Sequence, residues 1–448
     1  MTRPSEGPAA TPGGFLFNVN LVFIATVAGY GLAFFSSVIL ARTLGDEGRG
    51  VTALYQAAVT LGFAFLSLGI ATALVYYVAR REISGRQAME ASLSITLAAT
   101  LVTAIAVAVA GRAFGGLNEE SVPFWLAVIA VPAIIQFRAA EAVLRAQGRF
   151  GAMNLLEVSL PLSILLCLGA VELAQGLTIR SAVVAWSLAF LPPFAFGYAL
   201  LGPSQWPRRL ASPSLLSPTI RFGVQGQLSN LIQLLNYRLD SFLVLAFVDK
   251  AGVGLYAVAV SLSEGMWFIA NSVSVVLLTH LTAGDEENAL RMTPIVCRNT
   301  LLVTALASLG AAAVSPFIIP AVFGTEFDGS VLPFVFLLPG TAALAGTKIL
   351  AAYVFSRGRP LINAQIAFVT LVITIACDLL LIPRFEVTGA AAASSIAYSF
   401  SLALSALAYR RLSGGSIADA LLPRLSDAPR YVEGVRSLAA HVGAGGRS

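Results

Sequence analysis

Charged residues are scarce in this chain. They make up 11% of its 448 residues, whereas soluble domains carry about 25%. Hydrophobic residues make up 57%, which excludes an ordinary soluble globular protein and predicts a chain that lies largely within a membrane. The net charge of +5 does not indicate nucleic-acid binding, because most of the charges fall in loops predicted to lie on one face of the membrane.

Residues that commonly bind metals or act as nucleophiles are also few. The chain has two histidines and three cysteines. The cysteines, Cys167, Cys297 and Cys377, lie in or beside apolar segments without CxxC spacing, and we expect them to be unpaired packing residues. The sequence has no metal-ligand cluster, no nucleophile–base spacing and no long outer loop, so neither a cofactor nor an enzymatic activity is predicted.

Apolar segments long enough to cross a bilayer follow one another along almost the whole chain. A transmembrane helix needs about 20 apolar residues, and a backbone in lipid must satisfy its own hydrogen bonds, which favours helices over strands. The predicted fold class is therefore all-α, a polytopic membrane protein of about twelve transmembrane helices. The predicted spans are residues 15–43, 50–79, 88–111, 121–144, 153–174, 179–201, 220–248, 253–281, 294–322, 329–356, 362–382 and 388–411.

The spans fall into two sets of equal number. The predicted parts are a cytoplasmic tail at 1–14, an N-terminal lobe at 15–201, a linker at 202–219, a C-terminal lobe at 220–411 and a cytoplasmic tail at 412–448. Arginines are concentrated in the loops that would share a side with the N-terminus, so both termini are predicted in the cytoplasm. The first apolar segment is too long for a cleaved signal peptide and is expected to remain as the first span. The final tail is expected either to lie on the membrane surface or to be mostly disordered.

Two loops of the first half have counterparts in the second half. Gly48-Arg49-Gly50 follows the first span, and Gly252-Val253-Gly254 follows the seventh. A similar pair is formed by residues 145–149 after the fourth span and 355–359 after the tenth. Glycine permits a tight reversal and a close approach of helices. An even number of spans per half makes the halves parallel repeats, which predicts two six-helix lobes with a cavity between them, as in a transporter.

The seventh span carries a polar stripe, formed by Gly226, Asn230, Gln233, Tyr237 and Asp240. These residues recur at alternating steps of four and three, which puts them on one face of a helix. Such a face cannot contact lipid, and it lines either a water-filled cavity or a polar contact between helices. Arg238 is two residues from Asp240, so the two side chains are not expected to face each other.

Two further spans of the second half carry polar groups. Glu264, Trp267 and Asn271 follow one face of the eighth span. A carboxylate beside an aromatic ring suits a sugar or an amphipathic ligand, and a hydrogen-bonded contact between helices is the alternative. Lys348 lies deep in the tenth span without an acid nearby in the sequence. It is expected either to pair with an acid of another helix or to meet an anionic ligand.

The first half carries its own charged groups. Arg138, Glu141 and Arg145 lie at steps of three and four on the fourth span. Glu141 can neutralise one arginine, so the other is available to an anion; the alternative is a structural ion pair with Arg145 reaching the cytoplasmic face. Glu157 on the fifth span is a candidate for binding a coupling proton or sodium ion, together with Asp240 and Glu264. The membrane potential acting on a charged substrate is the alternative source of energy.

The sequence resembles the polysaccharide flippase branch of the multidrug/oligosaccharidyl-lipid/polysaccharide exporter superfamily. The resemblance covers nearly all of residues 15–411 and is carried by Leu40–Gly50 (LARTLGDEGRG), Leu235–Ser241 (LNYRLDS) and Val253–Ala259 (VGLYAVA). It implies a protein that flips undecaprenyl-diphosphate-linked oligosaccharides across the cell inner membrane for the synthesis of surface polysaccharides such as lipopolysaccharide. It also implies alternating access of two lobes around a central cavity.

The resemblance further implies cationic cavity residues that meet the diphosphate. The candidates are Arg42, Arg138, Arg238 and Lys348. The other candidate substrate-binding residues are Asn230, Gln233, Tyr237, Trp267 and Asn271. The expected partners are the lipid-linked oligosaccharide, membrane lipids and proteins of polysaccharide assembly.

A cation-coupled multidrug antiporter of the same superfamily is the alternative function. An exporter of cationic drugs favours an acidic, aromatic cavity. Here arginine and lysine are mixed with the acids, which favours an anionic substrate.

Overall fold

The computed structural model describes residues 12–113, 123–283, 286–424 and Asp427. Every regular element within these residues is helical, so the predicted all-α class is confirmed. The α-helices are α1 (Pro12–Leu66), α2 (Ile70–Ala79), α3 (Gly85–Ala113), α4 (Ala127–Ala146), α5 (Phe150–Gln175), α6 (Ile179–Leu188), α7 (Leu191–Leu201), α8 (Pro213–Phe247), α9 (Lys250–Ala283), α10 (Glu286–Phe323), α11 (Val331–Ser356), α12 (Pro360–Ser413) and α13 (Ile417–Leu421). Short 3-10 helices lie at Phe124–Leu126, Pro203–Gln205 and Thr325–Ser330.

Helix α1 contains two predicted spans, which are joined at a reversal of the chain. Gly45 has φ 68° and ψ −173°, outside the helical range. Arg49 Nη2 lies 3.4 Å from Ser37 Oγ, although the twelve residues between them would rise about 18 Å in a straight helix. The chain therefore folds back at Gly45, and residues 12–44 and 46–66 form two neighbouring helices.

Helix α12 folds back in the same way. Glu386 has φ 52° and ψ −132°. The backbone at Gly389 lies so close to the helix before Glu386 that an added Cβ atom would be 2.3 Å from the carbonyl oxygen of Leu381. Residues 360–385 and 387–413 therefore form an antiparallel pair. The two helices of this pair correspond to the predicted spans 362–382 and 388–411.

Eight helices within the described residues are long and apolar enough to cross a membrane. Ile24–Leu66 and Pro360–Ser413 hold two predicted spans each, so these helices account for ten of the twelve. The other two spans lie in α8 and α9, whose polar side chains line the interior described below. The prediction of about twelve transmembrane helices is consistent with this arrangement.

Two predicted spans are interrupted. The second breaks between α1 and α2, where Leu68 and Gly69 have positive φ angles. A Cβ atom at Gly69 would lie 2.1 Å from the carbonyl oxygen of Gly223 on α8, so glycine allows the backbones to touch there. The sixth span breaks between α6 and α7. The predicted linker 202–219 is also too long, because α8 already begins at Pro213.

The buried side chains group by half of the chain. Every buried member of the largest hydrophobic cluster lies between Tyr55 and Leu201. A second cluster lies mostly between Val244 and Ala391, with Ala41 added from the first half. This grouping fits two lobes, whose bounds at 15–201 and 220–411 stay predictions.

The repeated Gly-x-Gly segments bring the two halves together on the side predicted to face outward. A Cβ atom at Gly50 would lie 1.8 Å from the carbonyl oxygen of Lys250. A Cβ atom at Gly254 would lie 1.9 Å from the carbonyl oxygen of Asp46. The two contacts are equivalent, since each glycine meets the residue four positions before its counterpart, as expected of repeats related by a two-fold axis. Glu47 also lies 3.7 Å from Lys250. We call this the outer contact.

The halves also meet on the opposite side, through α2 and α8. The rings of Tyr76 and Phe222 stack with centroids 4.3 Å apart. The Tyr77 hydroxyl donates to the carbonyl oxygen of Pro218 at 3.5 Å. The interior between the halves is therefore bounded at both ends.

The C-terminal segment packs against the second half as far as the structure describes it. Ala420 on α13 is fully buried. Asp427 forms a two-pronged ion pair with Arg298 of α10, with N–O distances of 2.5 and 2.7 Å. The described start of the predicted tail is thus packed against α10 and α12, and residues 425–426 and 428–448 lie outside the described residues. The predicted N-terminal tail lies outside them as far as residue 11, and α1 begins at Pro12.

Candidate functional site

A cavity of about 210 Å³ lies between the halves, directly inward of the outer contact. The first half contributes polar and aromatic side chains from the helix after Gly45 and from α6, and the second half contributes side chains of α8 and α9. The polar and aromatic lining residues are Arg49, Gln56, Thr60, Trp186, Arg238, Ser241, Ser261 and Glu264. Since both halves line it, any rocking of one half against the other changes this cavity.

Arg238 and Glu264 form an ion pair in the cavity wall. Arg238 Nη1 lies 3.2 Å from Glu264 Oε1, and their side chains are 33% and 22% exposed. The pair joins α8 to α9. Arg238, a predicted substrate-binding residue, therefore contacts Glu264, a predicted coupling residue.

Arg49 is the second arginine of the cavity lining. It is 5% exposed, and its Nη2 is 3.4 Å from Ser37 Oγ. Its Nε and Nη1 atoms have no hydrogen-bond partner in the described part of the chain. The sequence predicts Arg49 in the loop after the first span. The structure instead puts it in the first turn of the helix that resumes after Gly45, with its side chain in the interior.

Five candidate substrate-binding residues form one cluster further inward. Lys348 Nζ donates to Asn271 Oδ1 at 2.6 Å and lies 4.8 Å from the centre of the Trp267 ring. The Trp267 and Tyr237 rings have centroids 4.6 Å apart. Gln233 Nε2 donates to the Tyr237 hydroxyl at 2.5 Å. Helices α8, α9 and α11 thus bring together amides, aromatic rings and one cation.

Lys348 was expected either to pair with an acid or to meet an anionic ligand, and the described residues place no acid in direct contact with it. Its direct partners are a neutral amide and an aromatic ring, which supply a hydrogen bond and a cation–π contact. Glu264 influences Lys348 electrostatically and is already in contact with Arg238. The positive charge of Lys348 therefore stays available to an anion.

The polar groups follow α9 in depth. Gly254 lies at the outer contact, Glu264 lies in the cavity wall, and Trp267 and Asn271 follow one turn apart. Seventeen residues separate Gly254 from Asn271, a distance of about 26 Å along a helix. This length is comparable with the hydrocarbon core of a bilayer, about 30 Å. These groups thus lie at successive depths along α9, from the outer contact to the inner cluster, and we call this series the interior path.

Asp240 does not line the cavity, although it belongs to the polar stripe of α8. It is 2% exposed and faces the interior of the second half, where its carboxylate accepts hydrogen bonds from Tyr256 at 2.7 Å and Ser394 at 2.6 Å. The outer end of the stripe turns away from the cavity, because Asn236, Asp240 and Val244 follow the buried side of α8. Arg238 and Ser241 line the cavity in their place.

Asp378 joins Asp240 in this buried position. It is fully buried on α12 and interacts electrostatically with Asp240. Its two carboxylate oxygens have no hydrogen-bond partner among the described residues. Two neighbouring buried carboxyl groups repel each other when both are ionised, so the position favours a bound proton or cation. In the sequence, Asp378 lies close enough to the outer end of its span for solvation to explain it, whereas the structure buries it.

The charges of the first half largely balance one another. Glu141 contacts Arg138 at 2.7 Å and Arg145 at 2.5 Å, with one carboxylate oxygen for each arginine. Glu157, on the neighbouring helix α5, interacts electrostatically with all three. Two arginines and two carboxylates therefore form one cluster, which corrects the expectation of a spare positive charge.

Two candidates lie apart from the cavity. Arg42 donates from Nε to the carbonyl oxygen of Val322 at 2.7 Å and from Nη2 to that of Ala321, at the C-terminal end of α10. The last carbonyl groups of a helix attract cations, so Arg42 ties the first half to the second on the outer side. Asn230 is exposed on α8 and lies 3.5 Å from Gln227.

The fold and the interior path define a polytopic membrane protein of transporter type. The structure is similar to that of the lipid II flippase MurJ in an inward closed conformation, with a TM-score of 0.73, 15% identity and coverage of 88% of this chain and 90% of that one. It is also similar to a multidrug resistance MATE family transporter of the MOP superfamily in an inward-facing conformation. That TM-score is 0.72, with 14% identity and coverage of 86% of this chain and 94% of that one.

The sequence matches a known family over more than half of its length. Residues 15–281 match the model of the family described as polysaccharide biosynthesis protein, and the chain belongs to that family. A similar protein is the probable low-salt glycan biosynthesis flippase Agl15 of Haloferax volcanii, 22% identical over 399 residues, which cover 86% of this chain and 81% of that protein. The predicted polysaccharide family and the transporter fold are confirmed by these similarities.

Proposed function

We propose that this protein flips an undecaprenyl-diphosphate-linked oligosaccharide across the cell inner membrane for the synthesis of surface polysaccharide. The observation that carries the proposal is the charge of the interior path. Arg49, Arg238 and Lys348 face it, and Glu264 is the one carboxylate among the described residues of its lining and inner cluster. A path with surplus positive charge suits an anionic substrate such as a lipid diphosphate.

The remaining side chains of the path suit the rest of such a substrate. Arginine offers a planar fork that matches phosphate oxygens. The amides of Gln233 and Asn271 and the rings of Tyr237 and Trp267 offer hydrogen bonds and flat apolar surfaces, the combination that sugars require. Agl15, a probable glycan biosynthesis flippase, and MurJ, a lipid II flippase, agree with this substrate class.

Alternating access of two lobes is the proposed mechanism, with both termini in the cytoplasm. The outer contact joins the helices that line the cavity, so its separation would open the cavity outward. The contact between α2 and α8 bounds the opposite end. Rocking of the halves would relieve one contact while it tightens the other. Proteins of polysaccharide assembly are the expected partners on either side.

We infer that Asp240 is the coupling residue among the three acidic candidates. Glu264 is paired with Arg238, and Glu157 lies among the arginines of the first half. Asp240 has a second carboxyl group beside it and no cationic partner among the described residues. A proton or sodium ion bound there would link α8, α9 and α12, because Tyr256 and Ser394 both hold the same carboxylate.

Transport in proteoliposomes tests the function. A fluorescent undecaprenyl-diphosphate-linked oligosaccharide is placed in the inner leaflet, and its arrival in the outer leaflet is followed by quenching. The double variant Arg238→Glu with Lys348→Glu should fall to the rate of protein-free liposomes. Arg86→Glu is the matched control, since Arg86 is partly exposed and donates to the carbonyl oxygen of Ser204 away from the path. Unchanged flipping by the double variant would contradict the proposed path.

The multidrug antiporter is tested in the same vesicles. An antiporter of cationic drugs needs a free acidic group in its cavity, whereas Glu264 is occupied by Arg238. The wild-type protein should therefore leave a cationic dye untransported. Dye transport by the wild type without lipid flipping would replace the flippase proposal with the antiporter.

A further inference from the structure

We infer that the 210 Å³ cavity is a binding site for a phosphate-class oxyanion, centred on Arg49. Nothing in the sequence or in the similarities assigns Arg49 a role. The inference deepens the proposed function, because it gives the diphosphate of the substrate a second binding position just inside the outer contact. It also stands as a separate claim about anion binding.

The burial of Arg49 is the first observation. The guanidinium lines the cavity while the residue is 5% exposed. Its contact with Ser37, at 3.4 Å, is long for a hydrogen bond, and its Nε and Nη1 atoms have no partner in the described part of the chain. A buried cation without a counterion is costly, so such a group is retained where a ligand supplies the negative charge.

The local charges make an anion more favourable still. Arg238 lines the same cavity and interacts unfavourably with Arg49. Glu264 balances one of the two arginines. Arg49 also lies in the first turn of the helix after Gly45, where the helix dipole is positive and a cation is disfavoured. An anion in the cavity relieves both repulsions.

The donors in the lining select the class of ligand. Arg49 offers two free nitrogens of a planar fork, a geometry that binds two oxygens of one phosphate. The Gln56 amide and the Ser241 hydroxyl lie in the same wall. The hydroxyls of Thr60 and Ser261 already donate to backbone carbonyl oxygens. Several donors from different directions suit a tetrahedral oxyanion better than a planar carboxylate.

This position is separate from the one at Lys348. Ser261 lines the cavity and Asn271 holds Lys348, and the ten residues between them on α9 span about 15 Å. The two cations therefore lie at different depths of the interior. The substrate would therefore move from the inner cation to the outer one, and it would reach Arg49 beside the glycine that forms the outer contact.

Binding of inorganic pyrophosphate to the purified full-length protein tests the site. Isothermal titration calorimetry should give saturable binding to the wild type. Arg49→Gln should weaken the affinity by about tenfold or more, the loss expected when a charged hydrogen-bonding group is removed, and Arg49→Lys should keep part of it. Arg86→Gln, a surface arginine, should bind as the wild type does. Equal affinity of Arg49→Gln and the wild type would overturn the inference, as would absence of binding to the wild type.

Two measurements keep the site and the function apart. Thermal unfolding without pyrophosphate should show Arg49→Gln at least as stable as the wild type, because the variant removes an unpaired buried charge. If that variant does not fold, Arg238→Gln takes its place, and it too should weaken pyrophosphate binding. Pyrophosphate binding that depends on Arg49, in a protein that flips no lipid-linked oligosaccharide, would support the site and reject the proposed function. Normal flipping with no pyrophosphate binding would reject the site and support the proposed function.

Discussion

Gly50 and Gly254 hold equivalent positions on the two sides of the outer contact. Each approaches the backbone of the other half so closely that an added Cβ atom would lie within 2 Å of a carbonyl oxygen. Side chains of any other residue type would keep the halves apart there. The duplicated Gly-x-Gly segment is therefore a closing surface of the molecule as well as a turn.

Substitution of Gly254 by alanine should keep the outer contact open. Overpacking of this kind costs about 1–3 kcal/mol, which shifts the balance between closed and open states about tenfold or more. A cysteine introduced as Ser241→Cys in the cavity wall should then react faster with an impermeant reagent added outside. Gly310→Ala is the control, since an added Cβ atom there meets open space. Equal labelling of the two variants would contradict the role of the contact.

The location of these glycines could be predicted from the sequence, but their mutual contact could not. Hydrophobic length marks the spans, and the repeat marks equivalent turns. Which turns touch depends on how the halves pack, and one sequence without a structure does not contain that information. For the same reason the sequence predicts Arg49 in a loop together with Gly50, whereas in the structure its side chain lines the cavity.

Asp240 illustrates the limit for single side chains. Spacing placed it on the polar face of α8, and that face does hold Gln233 and Tyr237 near the path. Successive residues differ by about 100° around a helix, so Arg238 and Asp240 point to nearly opposite sides of α8, and the rotation of the helix about its axis decides which of them enters the cavity. Tyr256 and Ser394, which are distant in the sequence, hold the Asp240 carboxylate within the second half.

The pair formed by Asp240 and Asp378 should couple transport to a cation gradient. Asp240→Asn removes the charge that holds a proton or sodium ion, so flipping by this variant should no longer respond to either gradient. The measurement is flipping in proteoliposomes with the proton and sodium gradients collapsed in turn. Asp328→Asn, which changes an exposed acid, should respond as the wild type does. A variant at Asp240 that keeps its gradient dependence would move the coupling site elsewhere.

The buried ion pair between Arg298 and Asp427 should stabilise the second half. Their side chains are 6% and 2% exposed, and loss of one partner from a buried pair costs about 3–5 kcal/mol. Asp427→Ala should therefore lower the unfolding temperature clearly in detergent. Arg424→Ala breaks an exposed pair with Asp419 and should cost at most about 1 kcal/mol. Similar stability of the two variants would show that the C-terminal segment is not held by Arg298.

Asn271→Asp should block transport without removing any cation. The change puts a carboxylate where the amide oxygen now accepts from Lys348 at 2.6 Å. A charge-assisted hydrogen bond contributes about 1.5–3 kcal/mol, so a substrate anion that competes for Lys348 should bind about tenfold to a hundredfold more weakly. Flipping and substrate affinity should both fall, and the loss should be smaller at high salt, which screens the new pair. Asn230→Asp is the matched control, because Asn230 is exposed and its neighbour is Gln227. If Asn271→Asp flips as well as the control, the charge of Lys348 does not act on the substrate, and the positive character of the path must be assigned to Arg49 and Arg238 alone.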